Sequence, residues 1–451
     1  MQRREFVATG LAAMAAAGPA RFRSGSAHGV ALPAPTADQL AWADAELGMF
    51  FHFGINTFTD NEWGTGTEDP ALFNPSALDV AQWMRAAKAA GARYVVLTAK
   101  HHDGFCLWPS RTTRHSVKSS PWRSGAGDLV KEVSDAARAN GLGVGLYLSP
   151  WDRNAPSFGT GAAYNDFYIA QLTELLTGYG PLVEVWFDGA NGDAKIGKRQ
   201  AYDWNRIHVT VRRLQPHALI FSDAGPDIRW VGNELGTAAD VNWCTVDPSI
   251  VTEPGMDSPQ VTDALQHGAP APKGTVWRPA EADVSIRQRW FHHPAEEGTI
   301  KPASQLMEIW RNSVGRNANL LLNVPPSRIG LIGATEMREL EEFGAAQRAL
   351  WASAVDATPS SATGRVITAT LPRRMPVTGI VIEEDLRDGQ RVSGYRVEAA
   401  AGSGWVPLAQ GGTIGHRRLD RCERAETQVL RITMETIADA PRIRRVRALA
   451  G

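Results

Sequence analysis

The stretch "EVWFDGANG", Glu184 to Gly192, sets two large aromatic residues in a short apolar run and ends the run on an aspartate and a glycine-rich turn. Apolar runs of four to eight residues bounded by turn signals read as buried strands. Asp188 then stands at the carboxyl end of a buried strand, where a carboxylate is costly unless it is paired, hydrogen-bonded or put to use. For a lone Asp-Gly the simplest account is an aspartate that caps the next loop. The choice therefore rests on the rest of the chain.

Runs of the same kind recur on both sides. "LGMFFHFG", "RYVVLTAK", "GVGLYLSP", "EVWFDG", "ALIFSD", "VNWCTV", "TVWRPA" and "ANLLLNV" follow one another between Leu47 and Val324. Amphipathic segments separate the early ones. In "NPSALDVAQWMRAAKAAGA" the residues Val80, Trp83, Met84 and Ala87 fall on one helical face, and Gly91 ends the helix. Asp128 caps a second helix carrying Leu129, Val133 and Ala136, which stops at Asn140-Gly141. Eight strands alternating with helices predict a (β/α)8 barrel of the α/β class. A doubly wound open sheet is the rival, but no G-x-G-x-x-G follows an early strand. "ATEMRELEEFGAAQRALWASA" reads as a helical connector leaving the barrel. Beyond Thr358 the texture changes to short alternating runs, "RVITATL", "VTGIVIEE", "RVSGYRVEAA", "GWVPLAQGG", "QVLRITME" and "RIRRVRAL", which predict an all-β sandwich. The expected organisation is a leader over 1–28, the barrel over 29–355 and the sandwich over 356–451.

The leader carries Arg3 and Arg4 ahead of an apolar run from Phe6 to Ala17, followed by small residues. That layout is an export signal of twin-arginine type, which implies a bacterial periplasmic or extracellular setting. The run is too short to cross a bilayer as a helix, which needs about 20 apolar residues. A net charge of -1, with the arginines of the C-terminal strands scattered along them, gives a nucleic acid no footing. Cys106, Cys244 and Cys422 form neither a disulfide framework nor a C-x-x-C metal signature, and buried apolar roles suit them. The 15 tryptophans, flat apolar platforms with one polar edge, admit sugar binding.

In a barrel of this kind the chemistry collects where the strands' carboxyl ends converge. The first run delivers His52, and its loop delivers Glu62 and Trp63. The second delivers His101 and His102, the third Tyr147 and then Trp151, the fourth Trp186 and Asp188. Such a set suits either a metal or a sugar. Against a metal, His101 and His102 are adjacent on a strand and should point to opposite faces, and no H-x-H or H-E-x-x-H spacing occurs. No metal or other cofactor is expected. Hydrolysis in a sugar pocket needs two carboxylates about a glycosidic bond, of which Asp188 is the first.

"FHFGINTF", "TAKHHDGFCLWPS", "GLYLSPWDRN", "EVWFDGANG", "GPDIRWVGNE", "ADVSIRQRWF" and "SVGRNANLLLNVPP", in this order from Phe50 to Pro326, resemble family 29 of the glycoside hydrolases, the α-L-fucosidases. The resemblance implies a retaining, double-displacement hydrolase of terminal α-L-fucose with Asp188 as nucleophile. It implies that His52, Glu62, Trp63, His101, His102, Tyr147, Trp151, Trp186 and Arg229 hold the sugar. For the acid/base it offers Glu234, 234 − 188 = 46 residues past the nucleophile, and as alternative Glu281, which otherwise binds substrate. Asp152 and Arg153 read as an ion pair that orders a loop. The segments "FGINTF", "SPWDRN" and "FDGANG" resemble the subgroup acting on α-1,3 and α-1,4 fucose of branched glycans. The partner implied is a fucosylated oligosaccharide or glycoprotein glycan, with neither membrane nor nucleic acid involved. The alternatives are a broad-specificity enzyme acting on aryl and α-1,2 fucosides, an inactive fucose-binding barrel, and a metal-dependent hydrolase built on the histidines. Oligomeric state is not legible.

Overall fold

A computed structural model describes residues 31–192 and 197–450. The leader expected over 1–28 lies outside the described residues. Among the described residues ten strands lie in the first part of the chain: β1 Leu47–Phe51, β2 Tyr94–Lys100, β3 Gly143–Leu148, β4 Glu184–Trp186, β5 Leu219–Ser222, β6 Ile228–Trp230, β7 Thr245–Val246, β8 Val276–Trp277, β9 Ala280–Ser285 and β10 Ala318–Asn323. All but β7 and β8 close into a parallel barrel, in the order β1-β10-β9-β6-β5-β4-β3-β2. The helices are α1 Ala37–Ala45, α2 Ile55–Thr59, α3 Val80–Ala90, α4 Leu129–Ala139, α5 Ala162–Gly178, α6 Trp204–Leu214, α7 Pro259–His267, α8 Ala303–Ser313 and α9 Ala334–Ala352. Asp128 caps α4 by accepting from Lys131 N, and Gly91 ends α3 at φ 88°, a left-handed position that favours glycine. None of these helices is long and apolar enough to cross a membrane.

Two of the expected barrel strands are elsewhere. "VNWCTV" and "TVWRPA" supply β7 and β8, an antiparallel pair outside the barrel. The sixth and seventh barrel strands are β6 and β9, within "GPDIRWVGNE" and "AEADVS". Neither carries a strong apolar signal. β6 is three residues long and is reached from β5 through 223–227 with no helix between, and β9 alternates carboxylates with alanines because one of its faces is the barrel interior.

Side-chain alternation divides each strand between two cores. Phe50, Tyr94, Val96, Tyr147, Trp186, Leu219, Phe221, Ile228 and Leu321 fill the interior, with Trp42 of α1 among them. Their neighbours Met49, Phe51, Val95, Leu97, Leu146, Val185, Ile220 and Leu322 pack outward in the core shared with the helices. Register stacks the inward rings, with Tyr147 level with Trp186 and Trp186 level with Phe221.

The C-terminal part is one continuous antiparallel sheet: β11 Ala354–Asp356, β12 Thr358–Thr363, β13 Val366–Glu384, β14 Val392–Ala401, β15 Gly404–Gly411, β16 Arg418–Ile437 and β17 Ile443–Leu449. Its order is β11-β17-β13-β16-β14-β15, with β12 on β13. "RVITATL" and "VTGIVIEE" are a single strand, because "PRRMP" forms an irregularity between Thr370 and Met375 and not a turn. The sheet is wrapped about one core that includes Leu371, Ile380, Ile382, Tyr395, Val397, Leu430, Ile432 and Val446. At the barrel junction the buried Glu383 accepts from Arg417, Arg444 and Arg447. Arg417 and Arg447 also each lie 4.6 Å from the ring centre of Trp351.

Candidate active site

A cavity of about 260 Å³ opens at the carboxyl ends of the barrel strands, room for about nine waters at about 30 Å³ each. That is the size of one sugar ring. Its polar lining comprises His52, His101, His102, Asp188, Asp223, Glu234 and Asp283, set among Phe50, Trp63, Tyr147, Trp186, Trp230 and Trp290. Among the described residues no lysine or arginine lines it.

Asp188 lies two residues past the end of β4, on the inward parity of Glu184 and Trp186. Its Oδ2 accepts from the Tyr147 hydroxyl at 3.0 Å and lies 3.9 Å from His102 Nε2, while Oδ1 accepts from Ala190 N at 2.7 Å. The loop-capping role and the exposure to the cavity therefore coexist in one carboxylate. Glu234 lies in the loop after β6. Although the residue is exposed at the rim, partial desolvation raises its carboxyl above the ordinary glutamate value, a hydrogen bond with the Trp290 side chain opposes this, and the charges of Asp188 and Glu62 add to it.

The three histidines form a mixed set of donors and acceptors. His52 Nδ1 lies 2.9 Å from Asn323 Oδ1, an acceptor, so Nδ1 carries the proton and Nε2 is left as an acceptor. Ser149 gives its hydroxyl proton to Trp151 O at 2.7 Å and accepts from His102 Nδ1 at 2.7 Å, which leaves His102 Nε2 as an acceptor too. Asn56 Nδ2 donates to His101 Nδ1 at 3.4 Å, which puts the proton of His101 on Nε2. Burial lowers all three, His52 to about 3 and His101 well below the usual histidine value, so that these two are neutral imidazoles. Two acceptors and a donor suit hydroxyl groups, which both donate and accept.

His101 and His102 both reach the cavity, with ring centres 4.1 Å apart, contrary to the opposite faces expected. β2 ends at Lys100, and alternation lapses once the chain turns. Trp63 stands at the mouth with 57 % of its surface exposed. Trp151 does not line the cavity and buttresses it, 4.9 Å from His102 and 6.2 Å from Trp63. Glu62 also lies behind the wall, where its carboxylate takes the Trp290 N–H at 2.7 Å and His293 Nε2 at 3.0 Å. Arg229 points out of the barrel, since Trp230 occupies the inward position. Its guanidinium donates to the carbonyls of Leu265 and Arg278 and to Asn242 Oδ1, so it holds no substrate. Glu281 is fully buried beneath Trp186 and reaches neither a substrate nor a leaving group, which removes it as acid/base and as ligand. The cation of Asp152 is Lys100, at 2.8 Å, and Arg153 covers the Trp151 ring.

Asp223, Trp230, Asp283 and Trp290 were not anticipated. Asp283 is the residue of "AEADVS" that attains the cavity, one inward step beyond Glu281, and it accepts from Trp230 Nε1 at 2.7 Å. Burial and the nearby charge of Glu234 hold it well above the usual aspartate value. Asp223 ends "ALIFSD" as Asp188 ends "EVWFD", a signal present in the sequence. Burial and, less strongly, Asp188 push it up to about 6, against a hydrogen bond from Gly255 N at 2.9 Å. Among the described residues no three His, Cys, Asp or Glu side chains are gathered so as to hold a metal ion.

The model of the alpha-L-fucosidase family matches residues 67–348. The chain is 41% identical over 451 residues to alpha-L-fucosidase 1 of Arabidopsis thaliana, covering 91% of this chain and 86% of that one.

The chain belongs to the α-L-fucosidase family, glycoside hydrolase family 29.

A glycoside hydrolase 29 family member from a rumen bacterium superposes with a TM-score of 0.85 at 37% identity, covering 93% of this chain and 78% of that one. A Ruminococcus gnavus fucosidase of family 29, solved in complex with fucose, gives a TM-score of 0.81 at 30% identity, over 95% and 97% of the two chains. Membership makes the chain a glycoside hydrolase, and the cavity's carboxylates and neutral imidazoles are placed to serve one.

The state of the rings is open to measurement. In long-range nitrogen-15 spectra, His52 and His101 should keep neutral-imidazole shifts from about pH 8 to about pH 6, because burial lowers His52 to about 3 and His101 well below the ordinary value. Titration of either ring near the ordinary histidine value of about 6.5 would contradict the burial assigned to it.

Proposed function

We propose that the protein is a retaining exo-α-L-fucosidase in which Asp188 is the nucleophile and Glu234 the acid/base. What carries this reading is a sugar-sized cavity with carboxyl groups and neutral imidazoles in its wall and, among the described residues, no cation there. The transition state of glycoside cleavage carries positive charge near the ring oxygen, and carboxylates in the wall stabilise that charge.

In the first step an Asp188 oxygen bonds to the anomeric carbon as the bond to the leaving oxygen breaks. Glu234, whose carboxyl is shifted upward by partial desolvation beside Asp188 and Glu62, gives that oxygen its proton. In the second, Glu234 takes a proton from water, the water oxygen bonds to the anomeric carbon, and the ester to Asp188 breaks. Tyr147, donating to Asp188, holds the carboxylate in line. His52, His101 and His102 meet the sugar hydroxyls, and Trp186 forms the floor under the ring. The Arg3-Arg4 leader supports action outside the cytoplasm.

Asp188→Ala should lower turnover of an aryl α-L-fucoside by several orders of magnitude, with azide restoring activity and yielding β-fucosyl azide. Glu234→Ala should lose far more rate on glycans than on fucosides of acidic phenols, whose departure needs no proton. Near-normal hydrolysis by the first variant, or equal losses on both substrate types by the second, would remove the corresponding assignment.

The resemblance of the loops supports α-1,3 and α-1,4 fucose on branched N-acetylglucosamine units as substrate. The exposed indole of Trp63 at the mouth offers a face for the neighbouring sugar. Contacts to that sugar raise turnover when they strengthen in the transition state. A Lewis trisaccharide should then be cut much faster than an α-1,2-fucosyl-lactose, and equal rates would assign the protein a broad specificity.

A further inference from the structure

One layer beneath the cavity the barrel interior holds two glutamates among apolar side chains. Glu184 of β4 and Glu281 of β9 are both 0 % exposed. Around them stand Trp42, Leu219, Ile228 and Leu321. Glu281 accepts twice, from the Tyr94 hydroxyl at 2.8 Å and from Trp186 Nε1 at 3.0 Å. Glu184 and Glu281 hydrogen-bond each other through their side chains. Besides Glu281, the polar side chain set against Glu184 is the indole of Trp42, and neither Glu184 oxygen receives a well-formed bond from it.

Two carboxylates cannot share a hydrogen bond, since neither has a proton to give. The bond exists only if one of the pair is protonated. Nothing nearby removes that need. The polar groups facing the pair are Tyr94 on β2, Trp42 on α1 and Asp283 one inward step along β9, and no Lys, Arg or His is among the groups acting on either carboxyl. Glu281 already receives two donors, which favour its ionised form, so the proton belongs to Glu184. Burial, reinforced by the charge of Glu281, holds Glu184 well above the usual glutamate value.

We propose that Glu184 and Glu281 form a positioning pair that shares one proton, Glu184 donating to a Glu281 carboxylate that in turn fixes the indole of Trp186 as the cavity floor. The proposal rests on the reading of that cavity as the fucoside site. Its reach to the chemistry is short. The Trp186 ring is stacked at 4.1 Å on Phe221 and at 5.2 Å on Tyr147, whose hydroxyl holds Asp188. An indole that loses its acceptor below tilts between these rings, and Tyr147 shifts with it. Neither glutamate touches the sugar.

The pair predicts an asymmetry that a merely space-filling role does not. Glu184→Leu removes the donor and should lower kcat/KM for an aryl α-L-fucoside about tenfold or more. Glu184→Gln should restore it to within about threefold, because the amide N–H replaces the shared proton. Glu281→Gln should stay about tenfold or more below wild type, because its NH2 faces the donor of either Tyr94 or Trp186. Infrared spectra at neutral pH should show a protonated-carboxyl C=O stretch that Glu184→Gln removes, a readout independent of catalysis and of whether Glu184→Leu folds. Wild-type turnover of the fucoside tests the site itself, and its absence would count against that reading and not against the pair. Equal losses in the two glutamine variants, or a carboxyl band unchanged by Glu184→Gln, would overturn the proposal.

Discussion

Closing eight parallel strands into a barrel buries both faces of every strand, so every second side chain must fill a narrow interior or emerge at its carboxyl end. The rest of the structure follows from that constraint. Rings from neighbouring strands are stacked in register, Tyr147 on Trp186 and Trp186 on Phe221, and this packed column is the support on which the cavity sits. The residues one inward step further, among them His52, Asp188, Asp223 and Asp283, are the ones the cavity uses. The polar groups thus arrive on a rigid scaffold, held by neighbours that are themselves packed.

Burial then does the electrostatic work. It lowers the histidines, so that they present lone pairs and N–H groups in place of positive charge, and it raises Asp283, Asp223 and, more weakly at the rim, Glu234 above their ordinary carboxyl values. Acids and bases made by environment and not by residue type are what a two-carboxylate hydrolysis requires. The cost of burying carboxyls is offset by hydrogen bonds from indole and backbone, Trp230 to Asp283 and Gly255 to Asp223.

The sequence was legible wherever strand parity and apolar runs agreed. Asp188, Tyr147, Trp186 and His52 are on strands or at strand ends with strong apolar signals, and they reach the cavity as expected. It was illegible where the interior itself is polar. β9 alternates glutamate, aspartate and alanine, so it did not read as a strand. The apolar "VNWCTV" took its place in the expected order, and Glu281 was chosen where Asp283 is the residue that attains the cavity. Arg229 failed for a related reason, since a three-residue strand gives no parity to judge which side chain points inward. Glu62 and Trp151 were right in place and wrong in contact, for their roles depend on the loop bearing Trp290 and His293 and on the ring of His102. The export leader is a compositional reading and rests on the sequence alone.

The central claim is that Asp188 forms a covalent bond to the sugar. A 2-deoxy-2-fluoro-α-L-fucosyl donor with a good leaving group slows both steps, and the leaving group restores the first, so the ester accumulates. Mass spectrometry of proteolysed enzyme should find one added 2-fluorofucosyl group, on the peptide that contains Asp188. A label on Asp223 or Glu234, or turnover with inversion and no label, would contradict the account.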